Sequence, residues 1–76
     1  MSKYLIRADM EPLSYYSVYP MWDVLDEEFG VDVFSQKDVS KLFGKRGWRK
    51  EEISRDFDNL LLTGYVEKVK SRLGIF

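Results

Sequence analysis

The chain contains neither cysteine nor histidine. The absence of cysteine removes disulfides and thiolate metal sites, which suits a reducing compartment. With histidine missing too, the common zinc ligands and the usual general base near neutral pH are gone together. Carboxylates are plentiful, 13 in all. None of them stands in a nucleophile–base arrangement, beside a glycine-rich phosphate loop, or at a metal-ligand spacing. The sequence reads as a non-enzyme that takes no cofactor and no metal. Long apolar runs are also lacking: no stretch reaches the roughly 18 residues that span a bilayer. The start, Met1 to Asp9, has no apolar core of the kind that marks a signal peptide. A cytoplasmic protein without a membrane partner is the expectation.

What the chain does have is aromatic side chains: two Trp, five Tyr and five Phe in 76 residues. A single domain of this size buries only about 60% of its unfolded surface. Large aromatic side chains compensate, because each buries so much area. Net charge is −1, but it is unevenly spread. Residues 1–35 hold two cations against seven carboxylates, and residues 36–76 hold ten cations against six. Such asymmetry marks either a polyanion-facing side with an acidic side behind it, or two solvated faces of opposite sign.

Residues 3–8 carry a short apolar core that reads as an edge strand or the first turn of a helix. Pro12 and Pro20 bracket a tyrosine-rich segment expected to be extended or irregular. Tyr15, Tyr16 and Tyr19 there either cover the core or offer a partner surface. Pro20 suits the first helical position, and Trp22, Leu25 and Phe29 recur at spacings of three and four. This predicts an amphipathic helix over 20–29, stopped by Gly30. Val31 to Phe34 alternates and predicts a short strand. Ser35 and Asp38 form a near capping box for a helix with Val39, Leu42 and Phe43 inward, ending at Gly44. A basic turn, Lys45-Arg46-Gly47, follows. A third helix then buries Ile53, Phe57, Leu60 and Leu61 and stops at Gly64. Tyr65 to Lys70 reads as a strand, and Leu73 to Phe76 as its short return.

From Ser35 to about Val69 the chain resembles the winged helix-turn-helix family of DNA-binding domains. Gly47-Trp48-Arg49 stands where the family has its turn. Ile53-Ser54-Arg55, then Phe57 and Leu60, match the start of the recognition helix, and Gly64-Tyr65-Val66 matches the exit to the wing. The separation of nine positions from Gly44 to Ile53 exceeds the tightest form of the motif. Either the second helix runs on or the turn carries an insertion. The resemblance implies an α+β, mainly α fold of three helices with a small antiparallel β-wing. It divides the chain into an N-terminal arm, 1–19, and a winged domain, 20–76.

It further implies a small DNA-binding protein, a transcriptional regulator, that inserts helix 49–63 in the major groove of double-stranded DNA. Arg55 then reads bases through its fork, with Ser54 and Asn59 beside it. Lys37, Lys41, Lys45, Arg46, Arg49, Lys50, Lys68, Lys70 and Arg72 hold phosphates, roughly 4–8 of them at once. Arg55 has a plainer reading as a helix-surface ion pair. Trp48 is either a stacker or a plug of the core. A homodimer through the tyrosine-rich segment fits the small size of the domain. The alternative is a winged-helix protein–protein interaction module of a larger assembly, because a fold does not fix a function.

Overall fold

The computed structural model describes residues 2–69. The elements run β1 (Lys3–Ile6), α1 (Tyr19–Phe29), β2 (Phe34–Ser35), α2 (Gln36–Lys45), α3 (Lys50–Thr63) and β3 (Val66–Lys68). The fold is α+β and mainly helical, with three helices and a three-stranded antiparallel sheet.

The sheet order is β2-β1-β3, so residues 3–6 form the central strand, neither an edge strand nor a helical turn. Tyr4 faces Phe34 on one side and Lys68 on the other, and Ile6 faces Val66. The backbone amide of Val69 donates to the Lys3 carbonyl at 2.8 Å, closing that end of the sheet. Alternation along β1 sends Tyr4 and Ile6 into the core and Lys3 outward. Among the described residues β3 pairs only with β1. The return strand expected at 73–76 lies outside them.

The strand expected over 31–34 is confined to Phe34 and Ser35. Gly30 adopts φ 56°, and the Asp32 amide donates to the Phe29 carbonyl at 2.8 Å. That turn holds Val31 and Val33 away from β1, exposed. Ser35 serves two elements, pairing with Lys3 and capping α2. Its Oγ accepts from the Asp38 amide at 3.1 Å, while Asp38 Oδ2 accepts from the Ser35 amide at 2.9 Å. These bonds satisfy backbone donors that a helix start otherwise leaves open. They also favour the ionised carboxylate, so Asp38 is held below its ordinary range, first by the Ser35 amide and then by the Ser35 side chain. A depressed carboxyl contributes stability above its unfolded value near 3.9, and loses it as pH falls through the lower folded value. Asp38→Asn therefore flattens the acid limb of a pH–stability curve below about pH 4. Chemical denaturation at pH 3, 4 and 6 checks this. Ser35→Ala is expected to cost about 0.5–2 kcal/mol at neutral pH.

The core lies between the sheet and the helices. Phe34, Phe43 and Phe57 are its largest fully buried side chains, joined by Met21, Leu25 and Leu60. Tyr4 meets Phe57 edge-on at 5.0 Å, and Phe29 stacks on Phe34 at 4.7 Å. Trp22 is buried with its indole Nε1 lacking an acceptor among the described residues.

Candidate nucleic-acid interface

The link between α2 and α3 decides how the charged side chains are presented. α2 does not stop at Gly44; it continues to Lys45, and the left-handed residue is Gly47, at φ 87°. The Gly47 amide donates to the Gly44 carbonyl at 3.1 Å and the Trp48 amide to the Phe43 carbonyl at 3.0 Å. This is the Schellman pattern, which comes with an apolar contact across the turn. Here that contact is Trp48 on Phe43, with ring centroids 4.7 Å apart. The contact accompanies a left-handed residue at Gly47, three positions beyond Gly44. Ending α2 at Gly44 would leave Trp48 with no Phe43 to cover. Trp48 is thus a half-buried plug. The longer spacing before Ile53 is met by extra helix plus a turn. Around Gly47 a built Cβ meets nothing within 4 Å. Gly47→Ala is therefore expected to cost only the left-handed strain, about 1–2 kcal/mol, read by thermal denaturation.

α3 begins with Glu52 Oε1 accepting from the Arg49 amide at 2.9 Å. Glu52 is thereby committed to the helix start. Gly64, at φ 92°, ends the helix, its amide shared by the Leu60 and Leu61 carbonyls at 3.2 Å. Ile53, Phe57 and Leu60 point into the core as expected, with Leu61 half-buried. Glu51, Ser54, Arg55, Asp58 and Leu62 are exposed, and their spacing places them on one outward face. Leu62 is 85% exposed.

Lys45, Arg46, Arg49 and Lys50 are all exposed, grouped at the end of α2, the turn and the start of α3. Among the described residues none of the four forms an ion pair. Lys37, Lys41 and Lys45 recur every four residues and make a ridge along α2. Acidic groups interrupt that ridge. Lys41 and Lys45 share a depression with Glu28 and Asp38 at the end of α1. Lys68 is exposed on β3 opposite Tyr4, at the sheet end beside the start of α2. The turn cations sit at the other end of α2, a helix of ten residues and so about 15 Å long. Lys70 and Arg72 lie outside the described residues.

Ser54 and Arg55 stand together on the outward face. Asn59 is half-buried at its margin, beside Tyr16, Val18, Thr63 and Tyr65. Its backbone carbonyl accepts from Thr63 Oγ1 at 2.7 Å. The tyrosine-rich segment forms turns alongside α3, with the Tyr16 amide on the Leu13 carbonyl and the Tyr19 amide on the Tyr16 carbonyl, both 3.0 Å. Tyr15 is 79% exposed and meets Tyr16 edge-on.

Asp56 is a further residue of α3 that bears on the site. It is buried, 5% exposed, and accepts from Arg55 Nε at 3.2 Å. Arg55 pairs with this neighbour, not with a residue three or four positions away as an ordinary helix-surface pair would. Periodicity held the signal, because 53, 56, 57 and 60 follow the inward spacing of a helix. No family model matches the chain, and no curated protein or solved structure matches it either. No helix among the described residues is long and apolar enough to cross a membrane.

Proposed function

We propose that this chain is a winged-helix DNA-binding domain that lays the first half of α3 in the major groove. The observation that carries the reading is the group of four exposed cations at the α2–α3 turn, unpaired among the described residues and next to the outward face that holds Ser54 and Arg55. Phosphate contacts from such a turn fix register, and side chains further along the helix meet base edges. Lys41 and Lys37 extend the contact along α2. The exposed carboxylates of α1 are Asp23, Asp26, Glu27 and Glu28, and Glu28, which borders Lys41 and Lys45, is offset by those two cations in this reading. In this reading the protein acts as a regulator of transcription in the cytoplasm. It pairs across two-fold sites through Tyr15 and Tyr16, and sedimentation at high concentration tests that pairing.

The test of DNA binding is a duplex titration at several salt concentrations. Four phosphate contacts give a log–log slope of about −3.6 or steeper. An unmeasurable affinity at low salt contradicts the reading. Arg55→Ala is expected to cut the preference for a selected site about 10-fold while leaving random duplex nearly unaffected, by competition titration.

One observation favours a second reading, a protein-interaction module. The outward face of α3 and its first residue carry Lys50 and Arg55 against Glu51 and Asp58, a balance of zero, and end on exposed Leu62. A peptide or protein partner tolerates such a face better than phosphate does. Binding that ignores salt and requires Leu62 separates this reading from the first.

A further inference from the structure

The pair Arg55–Asp56 is not an ordinary helix-surface ion pair. Those form three or four residues apart, where side chains lie on the same face. Adjacent residues on a helix diverge, and these do: the Arg55 side chain is 66% exposed while that of Asp56 is 7% exposed. Asp56 occupies a core-facing place on α3, between Ile53 and Phe57, where an apolar side chain would pack without the cost of burying a charge. It sits with Trp48 and Glu52 in an open depression bordered by Ser17, just before α1, and Pro20, in its first turn, and Arg55 lines the same depression. Its bond is to Nε, the nitrogen nearest the stem of the guanidinium, at 3.2 Å. The two η nitrogens at the tip are left with no hydrogen-bond partner among the described residues.

We infer that Asp56 is a positioning residue for Arg55: the buried carboxylate grips Nε and aims the free tip of the guanidinium at an acceptor pair on a guanine edge. This rests on the reading of α3 as the base-contacting helix. An arginine held in one rotamer has less freedom left to lose on binding, and its planar fork meets O6 and N7 together only when its plane is fixed. Asp56 so acts on selectivity through Arg55, without touching DNA.

Two measurements test it. The first needs no DNA. In the whole chain the Arg55 Nε–H proton is expected to exchange with solvent more slowly than those of exposed Arg46 and Arg49, and to lose that protection in Asp56→Asn. Equal exchange rates in the wild-type protein overturn the inference, whether or not the variant folds. The second selects a preferred duplex from a randomised pool and compares it with a scrambled duplex for wild type, Arg55→Ala, Asp56→Asn and the double variant. Asp56→Asn is expected to lower the preference about 10-fold, leave the scrambled affinity within about twofold, and add nothing in the Arg55→Ala background. A purely structural role would lower both affinities, and would still do so when Arg55 is absent. If the wild-type protein enriches no sequence, the reading of α3 falls and this inference with it. If it enriches one and Asp56→Asn keeps the full preference, this inference alone falls.

Discussion

Phe57→Ala is expected to cost about 3–5 kcal/mol and to leave a large fraction of the molecules unfolded. Phe57 is 1% exposed at the centre of α3. Its ring meets Tyr4 of the central strand at 5.0 Å and Phe34 of β2 at 6.5 Å, so one side chain joins the site helix to two strands. Truncation leaves a cavity bounded by other rings anchored in different elements, which cannot close over it without moving strand or helix. A chain of 76 residues has a total stability of about 4–11 kcal/mol at the usual contribution per residue. The loss is therefore comparable with the whole. Urea denaturation followed by far-UV circular dichroism measures it. An unchanged midpoint would mean that α3 is not docked through Phe57.

The second large effect concerns charge. Replacing Lys45, Arg46, Arg49 and Lys50 together by alanine is expected to lower affinity for any duplex on the order of 10³-fold near 0.1 M salt. The log–log salt slope should become shallower by about 3.6, because each phosphate contact contributes about 0.9. All four side chains are exposed, so the folded state should barely notice their removal. The backbone amide of Arg49, which Glu52 caps, survives the substitution. This separates the variant from Phe57→Ala, in which binding and folding fail together. Fluorescence anisotropy at three salt concentrations, with a melting curve for each protein, measures both quantities. A variant that keeps the wild-type slope would show that these cations do not meet phosphate.

The helices were legible because their signals are local. Ser35 and Asp38 announced the start of α2, Gly30 and Gly64 the ends of α1 and α3, and apolar spacing the inward faces. The place of β1 was not legible. Four residues show little periodicity, and their partners, Ser35 and Lys68, are distant in the chain. The end of α2 lies beyond Gly44 because two glycines compete for the stop. Residue type does not choose between them, and contact between Trp48 and Phe43 accompanies the stop at Gly47. In the candidate site, the exposure of the turn cations and of Ser54 and Arg55 followed from the helix pattern. The commitment of Arg55 to Asp56 did not, because periodicity marks position 56 as inward but does not say which cation its carboxylate meets.

In the proposed function the turn cations and the outward face of α3 form one surface for duplex DNA. Amide chemical shifts of the labelled chain, followed during titration with a duplex at low salt, test it most directly. Shifts are expected to concentrate at residues 45–50 and at Ser54, Arg55 and Asp58, with α1 silent. Shifts confined to Leu13, Tyr15, Tyr16 and Leu62, or none at all, would contradict it.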